Sequence, residues 1–257
     1  SSMSKAFLPT ILEQKEKEVA HMVMEDLQPL RQTYRLYDFL KSHQEHLQII
    51  AEVKKASPSM GDINLAVDIV AQAKTYEENG AAMISVLTDQ VFFKGDLNYL
   101  REISSQVTIP TLAKDFIIDE KQIVRSRNAG ATVILLIVAA LPEARLKELY
   151  DFATGLSLEV LVETHNLAEL EIAHRIGANI IGVNNRNLVT FETDLNTSLE
   201  LSTHFKDQLV YISESAIFNG ADAALVAPYF NGILVGTALM TAGDVAEKVK
   251  ELQIDKG

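Results

Sequence analysis

Eight short runs rich in branched apolar residues, longer amphipathic stretches between them, and no Gly-x-Gly-x-x-Gly after the first run predict an α/β protein. Its expected fold is a (β/α)8 TIM barrel with an N-terminal helical extension. The strand-like runs cover residues 48–54, 83–88, 110–114, 132–138, 158–163, 179–184, 209–213 and 232–236. Helical patterns lie between them, at 65–79, 120–128, 143–152, 167–175, 197–204 and 245–252. Parallel strands need such crossover helices. Eight units spaced by about 20 to 33 residues fit a closed barrel of ordinary size. An open doubly wound sheet is the competing arrangement. Three helical stretches stop at Asn79-Gly80, Ala129-Gly130 and Ile176-Gly177, the expected left-handed terminators.

Residues 1–257 read as one domain. The first three, Ser1-Ser2-Met3, read as an expression scar. A helical extension occupies about 5–46, with apolar Ile11, Val19, Met22, Leu27, Leu36 and Leu40 near helical spacing and a break around Pro29. Apolar residues are 47% of the chain, enough for a large core. The charge balance is 23 basic against 35 acidic residues, or −12. That acidity argues against nucleic acid or an anionic membrane as partner, while a locally basic pocket can still take a small anion. With no cysteine, disulfides, thiolate metal sites and a Cys nucleophile are excluded. No apolar run approaches the ~20 residues of a membrane span, and no secretory signal follows the N-terminus, so the expected compartment is the cytoplasm.

Strand residues alternate sides. In the first run Ile49, Ala51 and Val53 share one face, and Glu52 and Lys54 share the other, which then points into the barrel mouth. Lys114 shares parity with Leu112, Glu163 with Leu161, Asn184 with Gly182, and Ser213 with Ser215. One such residue alone is ordinarily a solvated strand end, and a Glu-x-Lys pair ordinarily a structural ion pair. Convergence of all of them on the C-terminal rim, where barrel enzymes place their chemistry, favours a catalytic site. Asn184-Asn185 reads equally well as a turn. The loops at Ser213-Glu214-Ser215-Ala216 and Val235-Gly236-Thr237-Ala238 lie where this fold binds phosphate. The loop 55–61 is small and hydroxyl-rich, with Gly61 a candidate lid hinge. The six histidines show no metal-ligand spacing; His165 reads as a solvated loop residue, and His43 and His46 as structural.

Several motifs, in order, resemble those of the indole-3-glycerol phosphate synthase family. They are Ile50-Ala51-Glu52-Val53-Lys54-Lys55-Ala56-Ser57-Pro58-Ser59, Lys114-Asp115-Phe116-Ile117-Ile118-Asp119, Leu161-Val162-Glu163-Thr164-His165 and Gly182-Val183-Asn184-Asn185-Arg186-Asn187-Leu188. Ser213-Glu214-Ser215 and Gly236-Thr237-Ala238-Leu239-Met240 complete the set, and the resemblance covers almost the whole chain. It implies a carboxy-lyase of tryptophan biosynthesis. Such an enzyme closes the ring of 1-(2-carboxyphenylamino)-1-deoxyribulose 5-phosphate with loss of carbon dioxide and water. It further implies Lys114 as general acid, Glu163 as general base, and Lys54 as anion anchor with Glu52 as its partner. Asn184, Glu214 and Ser215 would complete the catalytic set. Ser57, Phe93, Arg186, Gly236 and Thr237 would bind substrate and phosphate. The implied enzyme works as a monomer on a phosphorylated small molecule, with no metal and no cofactor. Mutual influence of Lys54 and Lys114 would lower the acid's pKa. Three positions depart from the family pattern: Ala113 for Arg, Met60 for a basic residue, and Ala216 for Gly. A phosphoribosylanthranilate isomerase would need a Cys, and a non-catalytic phospholigand barrel would not need both Lys114 and Glu163.

Overall fold

In the computed structural model, which describes residues 7–257, β1 (Gln48–Val53) pairs in parallel with β2 (Met83–Leu87) and with β8 (Gly232–Val235). The expected expression scar at 1–3 and the start of the extension at Lys5 lie outside the described residues. Between β2 and β8 follow β3 (Thr111–Lys114), β4 (Val133–Ile137), β5 (Glu159–Thr164), β6 (Ile180–Asn184) and β7 (Val210–Glu214). They close a barrel in chain order. Right-handed crossovers carry α3 (Ile69–Glu78), α4 (Leu97–Ser104), α5 (Glu120–Asn128), α6 (Glu143–Gly155), α7 (Leu167–Arg175), α8 (Asn196–Ser202) and α9 (Gly220–Val226). After β8 come α10 (Thr237–Met240) and α11 (Val245–Leu252).

The alternation sorts the core into two layers. Ile50, Met83, Leu112, Val133, Leu135, Leu161, Ile180, Ile212 and Leu234 fill the barrel interior. Ile49, Ala51 and Val53, with their counterparts on other strands, pack outward against Ala73, Leu100, Leu146, Leu170 and Val249 of the helices. The inward parity of Glu52, Lys114 and Glu163 follows directly from Ile50, Leu112 and Leu161 two residues earlier. Ala113 belongs to the outer layer, so that departure from the family pattern lies behind the strand, away from the barrel mouth.

The N-terminal extension differs from its expected form. α1 (Phe7–Ala20) and α2 (Leu36–Ser42) are separated by an irregular stretch, residues 21–35, and not by a short break at Pro29. Leu27, one of the residues at helical spacing, is exposed, so its spacing marks no buried face. The stretch is held instead by tertiary bonds that a local pattern does not reveal. The Arg31 guanidinium donates to the carbonyls of Ser104 and Ile109, and the Gln28 amide to Asn128 Oδ1. α2 then plugs the bottom of the barrel, with Leu36 and Leu40 joining the inner layer. Its first amides would be orphaned. The Glu159 carboxylate accepts them, from Leu36 N at 2.6 Å and Tyr37 N at 2.9 Å. α4, α9 and α10 lie outside the helical patterns read from the sequence. The expected glycine terminators hold: Gly80, Gly130 and Gly177 have φ of +92°, +116° and +88°. No described helix is long and apolar enough to cross a membrane.

Candidate active site

Glu52 is buried on β1 and faces inward. A buried carboxylate is costly without partners. This one accepts Lys114 Nζ at 2.8 Å and Ser85 Oγ at 2.8 Å, and lies 3.8 Å from Lys54 Nζ. Its close partner is therefore Lys114, where Lys54 was expected. Burial favours its neutral form, but Lys114 and Lys54 prevail and lower its pKa. The two lysines diverge. Burial, then Lys114 and Arg186, push Lys54 down against the pull of Glu52. Burial also acts against the charge of Lys114, but Glu52, Glu214 and Glu163 outweigh it and raise its pKa. The expected mutual lowering thus operates on Lys54 alone. Three carboxyl groups surround Lys114, and the parity argument could not count neighbours from other strands.

Glu163 ends β5 beside Glu214 of β7. The side chain of Glu214 fits because position 182 is glycine: a Cβ there would lie 2.1 Å from Glu214 Oε2. Neither oxygen of Glu214 has a well-formed hydrogen bond. Burial and the neighbouring Glu163 carboxylate drive its pKa well above the ordinary range, which biases the pair's proton towards Glu214. Glu163 is held low: burial opposes ionisation, and His165 overcomes it. His165 is accordingly no solvated loop residue. It is nearly buried between Glu163, at 3.4 Å, and Glu169, at 3.0 Å.

On β7 it is Glu214, in register two residues beyond Ile212, that points inward. Ser213 points outward, where Asn185 Nδ2 donates to its Oγ and Ser198 Oγ lies 2.8 Å away. The expected grouping of Ser213 with Ser215 therefore fails. Ser215 reaches the site because the chain turns sharply, with φ of +66° at Ser215 and +67° at Ala216. Ser215 Oγ donates to Asn184 Oδ1 at 2.8 Å, and Asn184 Oδ1 also accepts the Arg186 amide at 3.0 Å. Asn185 is more than a turn residue. It is buried, donates to Ser215 O, and accepts from both Ser198 N and Ser198 Oγ, so it anchors the turn that presents Ser215.

Several of these side chains open onto one cavity. Its polar lining includes Lys54, Ser57, Lys114, Glu163, Asn184, Arg186 and Ser215. Its apolar lining includes Phe93, Phe116, Leu135, Ile137, Leu188 and Phe191, together with Phe7 and Leu8 of α1. A contiguous recess is lined by residues that include Lys54, Arg186, Ser215, Ala216, Gly236 and Thr237. A Cβ at position 236 would meet Glu52 Oε1 at 3.0 Å and Lys54 Nζ at 3.2 Å, so glycine keeps this recess open. Because α10 has only four residues, its dipole is small, and the two cations supply most of the positive potential there. Ser57 lies on a two-strand hairpin, 56–57 with 61–62, whose turn includes exposed Met60 and ends at Gly61, φ +66°.

Lys15 carries no sequence signal. It is fully buried on α1, 2.5 Å from Asp89 and 2.8 Å from Asp115. Asp89 also accepts the amides of Phe92 and Phe93, and Asp115 those of Phe116 and the Thr88 hydroxyl. Lys15 thus ties α1 to the two loops that supply the apolar wall. Parity could not find it, since the contact joins segments about 75 and 100 residues apart. Among the described residues no group of three or more His, Asp or Glu is placed to hold a metal ion.

Comparison with known proteins agrees with this geometry. A family model described as indole-3-glycerol phosphate synthase matches residues 8–252. A Streptococcus thermophilus protein named indole-3-glycerol phosphate synthase is 90% identical over 255 residues, covering 99% of this chain and 100% of its own. A Streptococcus sanguinis protein of that name is 80% identical with the same coverage. Among solved structures, 3-hexulose-6-phosphate synthase superposes with a TM-score of 0.65 at 15% identity, covering 80% of this chain and 98% of that one. At that identity the likeness concerns the fold alone.

Proposed function

The chain belongs to the indole-3-glycerol phosphate synthase family, and on that premise we propose that it closes the ring of 1-(2-carboxyphenylamino)-1-deoxyribulose 5-phosphate to give indole-3-glycerol phosphate, as a lyase of tryptophan biosynthesis. The observation that carries the reading is the convergence of Lys114, Glu163 and Lys54 on one cavity that is apolar along one wall and cationic at its end. The aromatic ring of the substrate fits against Phe93, Phe116 and Leu188. The phosphate fits the recess at Ser215, Gly236 and Thr237, with Lys54 and Arg186 as counter-ions. Ser57 and Asn184 are within the same lining to orient the polar groups between these ends.

Lys114 is the general acid. It protonates the substrate carbonyl oxygen as the carboxylate-bearing ring carbon attacks the carbonyl carbon. The resulting iminium accepts the electron pair released when carbon dioxide leaves, so that step asks for charge stabilisation and no further acid. Glu163, ionised, removes the proton in the dehydration that follows. Glu52 holds Lys114 in place and charged. Lys54, whose pKa is depressed, gains most from an incoming anion, because the anion restores the counter-charge that burial removed. Glu214, buried beside Glu163 with its pKa raised, adds little negative charge near the substrate's two anionic groups.

This reading treats residues 1–257 as a single domain working as a cytoplasmic monomer. The single closed barrel supports the one-domain part of it. The direct test adds the carboxyphenylamino substrate to the purified chain and follows indole fluorescence. Absence of product at micromolar enzyme would overturn the reading. Inorganic phosphate should compete with substrate, and indifference to it would remove the phosphate assignment at Ser215 and Gly236.

A further inference from the structure

The step after β5 contains a side-chain chain that the proposed chemistry leaves unused. Glu169, in the first turn of α7, accepts the backbone amide of His165 at 2.9 Å and its Nδ1 at 3.0 Å. Asn166 caps α7 by accepting the Glu169 amide at 2.9 Å, and its Nδ2 donates to the other Glu169 oxygen at 3.3 Å. The Glu169 carboxylate is therefore fixed from two sides, and it fixes the imidazole in turn. The opposite ring nitrogen, Nε2, lies 3.4 Å from Glu163 Oε2, close enough for an ion pair but without the geometry of a hydrogen bond, and forms no hydrogen bond elsewhere. Side-chain exposure is 10% for His165 and 4% for Glu163, so water screens this contact weakly.

We propose that His165 is a positioning residue for the base: as an imidazolium braced by Glu169, it holds Glu163 ionised and aimed into the cavity, which leaves the shared proton of the Glu163–Glu214 pair on Glu214. The inference rests on the reading of Glu163 as the base. An imidazole facing a carboxylate through each nitrogen satisfies both only when both nitrogens carry a proton. The titration directions agree. Burial acts against the charged ring, but Glu163 and Glu169 raise its pKa to about 9.

The other ionisable groups around the ring do not change this balance. Behind Glu163 lie Lys114 of β3 and Glu214 of β7. Across the open cavity on the β6 side stand Arg186, Glu192 and Asp194. The turn after β4 and the start of α1 contribute only Ala139, Leu8 and Pro9. Nearest the ring are the carboxylates of Glu163, at 3.4 Å, and Glu169, at 3.0 Å.

Two measurements test this. The first is a side-chain NMR titration of the six histidines in the wild-type chain, with H165Q used for assignment and E163Q as the perturbation. His165 should remain doubly protonated at pH 8, and E163Q should lower its midpoint by at least one unit. A wild-type midpoint near the ordinary 6.5, or no response to E163Q, would overturn the proposal. This arm needs no turnover, so it stands apart from the assignment of the reaction; and if H165Q does not fold, the E163Q response identifies the resonance. The second is the pH profile of kcat. Loss of the imidazolium in H165Q should move the acid limb up by about one unit or more, with KM changed less than threefold. A lower kcat at every pH with an unmoved limb would mean a merely structural role and would also overturn it.

Discussion

Replacing Lys15 by methionine tests whether α1 is part of the working site or an appendage. The substitution keeps most of the side-chain volume and removes the charge. It leaves Asp89 and Asp115 buried, at 0% and 6% side-chain exposure, without their common cation. Breaking a buried ion pair from one side costs about 3 to 5 kcal/mol. Both carboxylates keep backbone or hydroxyl donors, from Phe92, Phe93, Phe116 and Thr88, which places the expected loss at the lower end, about 3 kcal/mol. For a chain of this size that is a fall in Tm of about 6 to 12 °C. Phe7 and Leu8 of α1 line the cavity, so KM should rise several-fold with a smaller change in kcat. The assay is thermal melting by circular dichroism together with steady-state kinetics. Adding D89N and D115N to K15M should recover part of the lost stability, because the stranded charges are gone. A K15M protein that melts within 1 °C of wild type, with unchanged KM, would refute the reasoning that this buried pair docks α1 over the site.

Four further outcomes follow from the geometry. Lys114→Met should lower kcat by at least 100-fold with KM changed only a few-fold, since it removes a proton donor used in the transition state; steady-state fluorescence kinetics decide this. Gly182→Ala should force Glu214 out of position and cost at least tenfold in kcat, while circular dichroism stays that of the wild type. Ala216→Gly should stabilise the chain by about 1 kcal/mol, because an alanine at φ +67° pays a penalty that glycine does not, and a higher Tm is the readout. The pKa of His165 is raised on folding, so its contribution to stability is complete below about pH 6.5 and lost as pH rises through about 9. The Tm gap between wild type and H165Q should accordingly be widest at pH 6 and shrink by pH 10.

Alternation along single strands was enough to give the barrel, its inner and outer layers, and the inward aim of Glu52, Lys114, Glu163 and Asn184. A strand's side is a local property, set by a period of two. The strand ends fall within one residue of their expected positions. The N-terminal extension was read less well. Residues 21–35 have apolar spacing but are held by Arg31 and Gln28 reaching distant backbone, which no local period records.

What the sequence determined by itself is therefore the fold class, the family motifs, and which side chains reach the rim. What only the tertiary structure decided is how those side chains perturb one another. Lys114, and not Lys54, is the close partner of Glu52; Glu214 is buried beside Glu163, with their pKa values pushed apart; His165 is nearly buried between two carboxylates; Lys15 joins α1 to two loops of the rim. Each of these depends on distances of a few ångströms between residues far apart in the chain. Coulombic and desolvation energies change by kilocalories over such distances, whereas the period of a strand or helix carries no information about them.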